Sequence, residues 1–207
     1  MTAPQGIPTI YRGRLYRSRL EARWAAFFDI LGWPAEYEPC DFGGWIPDFA
    51  ISAWTTLYVE VKPIDNERPD VQRKIDLAGC PAECLAVGQT VPILRSDLTS
   101  EFHPMLGWFG ELAFDGEEPV PGKRTWQRAI LGCWAGTERP PSTPFAPVGN
   151  EERMLGICPE NGYWRDRITG LYDGGSYGSI AVDADKVRLA WNEAGNMVQW
   201  RGPRTPA

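Results

Sequence analysis

The chain has 207 residues, of which 43% are hydrophobic and 23% are charged, and its formal net charge is −6 at pH 7. This composition is typical of a folded globular protein and excludes an intrinsically disordered one, and the length suits one core with an appendage. No apolar run reaches the roughly 20 residues needed to span a bilayer, and a single histidine excludes any metal site that takes two histidines from one chain.

The first predicted element is an amphipathic helix in residues 16–31. Apolar side chains recur three and four residues apart, as one face of a helix requires; they are Leu20, Trp24, Phe27, Phe28 and Leu31. Gly32 and Pro34 end the pattern, because glycine commonly follows a helix and proline cannot continue one. Glu21 falls at the edge of the buried face, where its carboxylate can join a site at the rim of a sheet.

Three extended segments follow, at residues 35–39, 45–51 and 56–62, with turn residues between them. Apolar and polar residues alternate in the third segment, which is the period of a strand. Glu60 and Lys62 therefore project from one face of that strand. If the second and third strands pair as a hairpin, Asp48 approaches Glu60.

A second helix is predicted at residues 69–77 and a further strand at residues 83–88. Proline begins the helical pattern and Gly79 follows it, as expected at the two ends of a helix. The order helix, strand, strand, strand, helix, strand predicts an α/β (α+β) fold of packed layers. We assign this core to residues 1–100.

Residues 101–207 are assigned to a C-terminal extension of unknown role. Within it, residues 103–122 are acidic and aromatic, and residues 138–150 are rich enough in proline to form a connection. The extension is rich in aromatic residues, which stand among glycines in its last part, and we predict that it forms short strands and turns. For residues 183–192 a strand and a short helix both remain open.

The five cysteines are Cys40, Cys80, Cys84, Cys133 and Cys158. Their odd number and scattered spacing predict free thiols and not a disulfide framework. A zinc site built from the last four is the alternative, but it lacks paired CxxC spacing. The N-terminus has no apolar secretory segment, so we expect a cytoplasmic protein with no membrane partner.

Positive charge is concentrated near the N-terminus. Up to position 23 there are five arginines and one acid, whereas residues 103–122 contain acids and neither lysine nor arginine. A basic stripe on an acidic protein can bind a nucleic-acid backbone, although a solvated helix face has the same pattern. The candidate substrate-binding residues here are Arg12, Arg14, Arg17 and Arg19.

The candidate catalytic residues are Glu21, Asp48, Glu60 and Lys62. Mg²⁺ (or Mn²⁺) is usually held by one or two carboxylates, with water and phosphate completing its shell, and Asp48 and Glu60 are suited to that task. Lys62 can then orient or deprotonate an attacking water, and Glu21 can supply a third carboxylate. The simpler interpretation is an exposed Glu60–Lys62 ion pair beside a turn aspartate.

Four segments resemble the PD-(D/E)xK nuclease superfamily: RSRLEARWAAFFDILG, YEP, WIPDF and YVEVKP, within residues 11–88. They are most similar to phage-encoded nucleases and to endonuclease subunits of transposases. The resemblance implies a restriction-endonuclease-like mixed sheet flanked by helices, and it implies metal binding by Glu21, Asp48, Glu60 and the carbonyl of Val61. It also places Arg17, Ser18 and Lys74 near the site, Lys74 as a further substrate-binding residue.

We therefore expect a Mg²⁺-dependent DNA endonuclease in a phage or bacterial cytoplasm. A structure-specific or recombination-associated nuclease of the same fold is the nearest alternative. A non-catalytic nucleic-acid or protein-binding module, or an acidic mimic of nucleic acid, remains open as well. The sequence does not separate DNA from RNA, and it leaves open a homodimer or another protein partner.

Overall fold

The computed structural model describes residues 6–52, 56–63, 66–95, 102–115, 118–131, 152–155 and 184–199. The elements in these ranges are, in chain order, β1 (Thr9–Tyr11), β2 (Arg14–Tyr16), α1 (Arg19–Leu31), β3 (Ala35–Tyr37), β4 (Phe49–Ser52), β5 (Thr56–Val61), α2 (Pro69–Leu77), β6 (Glu83–Val87), β7 (Ile93–Arg95), β8 (Phe102–Asp115), β9 (Glu118–Leu131), β10 (Glu152–Leu155) and α3 (Ala184–Met197). None of the described helices is long and apolar enough to cross a membrane.

One mixed sheet of eight strands organises the described chain. Its order is β10-β9-β8-β6-β5-β4-β3, with β7 paired to β8, and β1 and β2 form a separate two-stranded hairpin. The β5–β6 and β9–β10 pairs are parallel, and the other pairs are antiparallel. The predicted mixed α/β class, with a mixed sheet flanked by helices, is confirmed.

Successive strand residues point to opposite faces of the sheet. Apolar side chains on both faces are covered by helices. In β5, Val59 and Val61 belong to an apolar cluster that includes α1 and α3 residues, whereas Tyr58 packs on a second cluster with Ile75 of α2. Glu60 lies two residues beyond Tyr58. It therefore points to the face that α2 covers.

The first helix begins at Arg19, three residues after the start of its predicted pattern at position 16. The side chain of Ser18 accepts a hydrogen bond from the Glu21 amide at 3.1 Å, which caps the helix. Gly32 ends it with φ of 72°, in the left-handed region that glycine adopts without strain. The predicted C-terminal boundary is confirmed.

The predicted hairpin is formed by β4 and β5, which pair with Phe49 opposite Val59. The segment 45–51 is only partly a strand, because β4 begins at Phe49. Pro47 has no amide hydrogen for a ladder, and the carbonyls of Trp45 and Asp48 accept hydrogen bonds from Phe42 and Glu38 instead. Helix α2 has the predicted bounds, and β6 lies inside the strand predicted at 83–88.

The chain beyond residue 100 extends the same sheet, because β8 pairs with β6. The strands β8 and β9 have 14 residues each, so the expectation of short strands and turns is wrong for this part. The segment predicted as either strand or helix at 183–192 is helical, within α3. The proposed connection at 138–150 and the cysteines Cys133 and Cys158 lie outside the described residues.

Candidate active site

Asp48 lies immediately before β4, where that strand meets the end of β5. Its side chain is 2% exposed. One carboxylate oxygen, Oδ2, accepts a hydrogen bond from the Val61 amide at 2.7 Å. This bond crosses from β5 to the residue before β4, so the hairpin itself fixes the carboxylate.

Glu60 and Lys62 follow from the same strand. The Lys62 ammonium is 2.5 Å from Glu60 Oε1, and Trp45 Nε1 donates to Glu60 Oε2 at 2.7 Å. Lys62 Nζ also donates to the Val61 carbonyl at 3.2 Å. Glu60 is 3% exposed, so this ion pair is not the exposed surface pair that the simpler interpretation required.

Glu21 reaches the site from the first turn of α1. Its Oε1 accepts from the Ser18 hydroxyl at 2.8 Å, and its Oε2 accepts from the Tyr37 hydroxyl at 2.6 Å and the Arg17 amide at 3.2 Å. Burial, and then the hydrogen bond to Glu21, raise the pKa of Tyr37 to about 12. The phenol therefore stays protonated and remains a donor at neutral pH.

Arg17 connects the two parts of the site. Its guanidinium Nη2 is 2.5 Å from Asp48 Oδ1, and its Nε is 3.0 Å from Glu38 and 3.8 Å from Glu21. Burial is the largest single influence and lowers the pKa of this guanidinium, but the three neighbouring carboxylates and the hydrogen bond to Tyr37 together outweigh burial, and the net shift is upward. Arg17 is thus a permanent cation among three carboxylates.

Burial is also the main influence on Asp48. It raises the pKa of this carboxyl to about 7, and the neighbouring charge of Glu60 adds to the effect, against opposing contributions from the Val61 amide and Lys62. Two buried acids that repel each other are a costly arrangement unless a cation compensates them. Arg17 and Lys62 supply compensating charge in this structure, and a divalent ion could replace it.

Asp48, Glu60 and the Val61 carbonyl are the groups that could hold a magnesium-type ion, because hard cations take such oxygen ligands. The β4–β5 register continues from Phe49 opposite Val59 to Asp48 opposite Glu60, so the two carboxylates project to the same face of the sheet. In the part of the chain that the structure describes, no group of three or more histidine, cysteine, aspartate or glutamate side chains is arranged to hold a metal. The metal-binding role of Glu21 stays a prediction.

The predicted substrate-binding residues are distributed around this centre, and only Arg17 contacts it. Arg12 and Arg14 are exposed on the β1–β2 hairpin, where Arg12 Nε is 3.4 Å from Asp29. Arg19 begins α1 and lines a cleft toward α3. Lys74 lines a separate cleft of about 560 Å³ between α2 and the turn at Gly43.

Sequence reasoning missed the residues that hold the acids in place. Trp45 is 1% exposed and donates a hydrogen bond to Glu60. The role of Tyr37 was not foreseen either. The spacing Ser18-x-x-Glu21 was a usable signal, because it is that of a helix capping box.

Comparison with known proteins leaves the assignment to the chemistry of these residues. A scan against protein-family models, a search of curated proteins and a search of solved structures each found no match to this chain.

Proposed function

We propose that the protein is a Mg²⁺- or Mn²⁺-dependent nuclease of the PD-(D/E)xK type, with a restriction-endonuclease-like fold, that hydrolyses phosphodiester bonds in DNA. The observation that carries this proposal is the convergence of Asp48 and Glu60, both buried, with the Lys62 ammonium 2.5 Å from Glu60. The two carboxylates, the lysine and their order along the chain suit metal-dependent hydrolysis of a phosphodiester bond.

Burial of the acids argues for function over simple stability. An exposed ion pair contributes little, but a buried acid beside a second acid opposes folding unless it is compensated. Proteins place such strained titratable groups at functional sites far more often than elsewhere. Asp48, whose pKa is raised by burial, satisfies this description, which favours a catalytic centre.

The division of roles follows from the contacts. A divalent ion on Asp48, Glu60 and the Val61 carbonyl would supply positive charge to the scissile phosphate and acidify an attacking water. Lys62, held by Glu60 and Val61, can orient that water by donating a hydrogen bond to it and can offset phosphate charge. Glu21, fixed by Ser18 and Tyr37, is placed to orient a second water.

The test is incubation of the purified protein with supercoiled plasmid, linear duplex and single-stranded DNA, in Mg²⁺, Mn²⁺ or EDTA. Asp48→Ala and Lys62→Ala are expected to abolish metal-dependent cleavage. Asp185→Asn, which alters an exposed acid of α3, is the matched control and retains it. Nicking of the closed circle indicates an endonuclease, and attack on linear DNA alone indicates an exonuclease.

Absence of cleavage on every substrate, together with no thermal stabilisation by either metal, would contradict the proposal and favour a non-catalytic binding module. Metal stabilisation that Asp48→Ala removes would separate the two cases before any substrate is known, because only a protein that binds the ion in its folded state is stabilised by it.

A further inference from the structure

A second cleft lies between α1 and α3. Its volume is about 580 Å³. The side chains that line it with polar groups are Arg19, Arg23, Gln89, Asn192, Asn196 and Gln199. Apolar atoms of Leu20 and Val198 form part of its wall. Half of this cleft is therefore built from the C-terminal extension.

The described polar residues that line this cleft are basic or uncharged. Two arginines and four carboxamides line it, and none of its described lining residues is acidic, although the whole chain carries a net charge of −6. Guanidinium and carboxamide groups are the side chains that most often hydrogen-bond phosphate oxygens. The chemistry that this cleft recognises is that of an anion with several oxygen acceptors.

Arg23 is held in place before any ligand arrives. Its Nε and Nη2 atoms donate to the Trp191 carbonyl at 3.2 and 2.9 Å, and its guanidinium carbon lies 3.9 Å from the centroid of the Trp191 ring. Gly195 permits this approach, since a Cβ there would meet the guanidinium at 3.1 Å. A guanidinium has five N–H donors, so three remain for a ligand.

The cleft is close to the carboxylates along the chain. Arg19 follows Arg17 by two residues, and Arg17 contacts Asp48. Gln89 follows Val87 by two residues, and the Val87 carbonyl accepts a hydrogen bond from the Lys62 amide. Neighbouring phosphates of a nucleic-acid strand are spaced by only a few ångströms. A strand whose scissile phosphate lies at Asp48 would bring a flanking phosphate toward this cleft.

We propose that the α1–α3 cleft binds a backbone phosphate that flanks the scissile phosphate of the nucleic-acid substrate. This proposal rests on the proposed nuclease function and gives the C-terminal extension a part in substrate binding. Arg19 supplies the exposed charge, and Arg23 and the carboxamides of α3 supply fixed donors. The contact is to the backbone, so it is independent of base sequence.

The test measures binding of a fluorescent DNA duplex by anisotropy, with the full chain and with Ca²⁺ in place of Mg²⁺, between about 50 and 200 mM salt. Arg19→Gln removes the charge, and Asn196→Asp adds an opposing charge at an exposed position of the cleft. Arg188→Gln removes a charge from α3 outside the cleft lining and is the matched control.

We expect Arg19→Gln to weaken binding roughly ten-fold and to reduce the slope of log affinity against log salt by about 0.9, the change for one phosphate contact. Asn196→Asp should weaken binding in the same direction, and Arg188→Gln should leave the slope unchanged. If the wild-type protein binds duplex but all three variants behave alike, this inference is overturned while the nuclease proposal stands. If the wild-type protein neither binds nor cleaves nucleic acid, both are overturned.

Discussion

The Arg17 guanidinium lies 2.5 Å from Asp48 Oδ1, so a side-chain cation contacts one of the two carboxylates that suit a divalent ion. Asp48 is buried, whereas the Arg17 side chain is 57% exposed. A long exposed side chain moves aside more readily than a buried carboxylate. Arg17 therefore compensates Asp48 in this structure and would compete with the proposed divalent ion.

The first prediction concerns this competition. Arg17→Gln should lower the melting temperature in EDTA, because Asp48 loses a compensating charge. It should also lower the Mg²⁺ concentration at half-maximal stabilisation by several-fold, since an exposed ion pair contributes up to about 1 kcal/mol. A thermal-shift titration without DNA measures both effects.

Arg14→Gln is the control for that titration, because Arg14 is exposed on β2 and absent from the contacts of Asp48. It should leave the Mg²⁺ midpoint unchanged. An Arg17→Gln midpoint equal to that of the wild type would show that the guanidinium does not obstruct the ion.

The second prediction concerns Trp45, a positioning residue that acts through Glu60. Trp45→Phe keeps the ring but removes the donor 2.7 Å from Glu60 Oε2, and a buried acceptor left without its donor costs about 1–3 kcal/mol. We expect the free energy of unfolding to fall by that amount and the Mg²⁺ midpoint to rise, because Glu60 is no longer fixed.

A purely structural role for Trp45 predicts the loss of stability alone. Trp33→Phe separates the two cases, since Trp33 is also buried and stacks on Phe28 at 6.0 Å. That variant should lose stability without moving the Mg²⁺ midpoint. Equal midpoints in the two tryptophan variants would rule out a positioning role.

Features encoded within a few residues were predictable from the sequence. The end of α1 at Gly32 and the bounds of α2 follow from local caps and breakers, and the β4–β5 hairpin follows from alternation and a short connection. The projection of Glu60 and Lys62 from one face of the strand follows from its two-residue period. Each of these signals comes from residues that are close together in the sequence.

Features that depend on distant partners were not predictable. Arg23 of α1 bonds to Trp191 of α3 across 168 positions, and β8 pairs with β6 across the boundary expected at residue 100. No local pattern in either segment specifies its partner. The hydrogen bond from Trp45 to Glu60 was missed for the same reason, because it joins residues 15 positions apart.

The third prediction tests the β6–β8 pairing. Gly107 has φ of 150°, and a Cβ there would lie 2.0 Å from the Ala86 carbonyl oxygen. Gly107→Ala must push β8 away from β6, so we expect it to lower the free energy of unfolding by roughly 2–4 kcal/mol. Urea denaturation measures the change.

Gly43→Ala is the matched control, because Gly43 has φ of 74° with nothing near its Cβ position. Its free energy of unfolding should fall only by the cost of placing an alanine at positive φ, about 1 kcal/mol. If Gly107→Ala is no more destabilising than Gly43→Ala, then β8 does not pair with β6 in the register found here.

The fourth prediction concerns Cys80, which lies with its Sγ 3.9 Å from that of Cys84. The hydrogen bond from Cys84 and, more weakly, the backbone of Ala82 and the charge of Arg124 lower the pKa of Cys80 to about 7, against the effect of burial. Burial raises the pKa of Cys84. Of the two cysteines, Cys80 is therefore the one that the folded protein favours as a thiolate.

The sign of the pH dependence follows from this difference. An unfolded cysteine has a pKa of about 8.5, so between about pH 7 and 8.5 the unfolded chain binds the proton that the folded chain has released. The free energy of unfolding should therefore rise by roughly 1–2 kcal/mol over this interval. The contribution is complete above about pH 8.5 and is lost as the pH falls through 7.

Urea denaturation at a series of pH values measures this contribution to the free energy of unfolding. Cys80→Ala should flatten the rise, whereas Cys40→Ala should retain it. An equal rise in both variants would mean that another group, and not the Cys80 thiolate, stabilises the fold at alkaline pH.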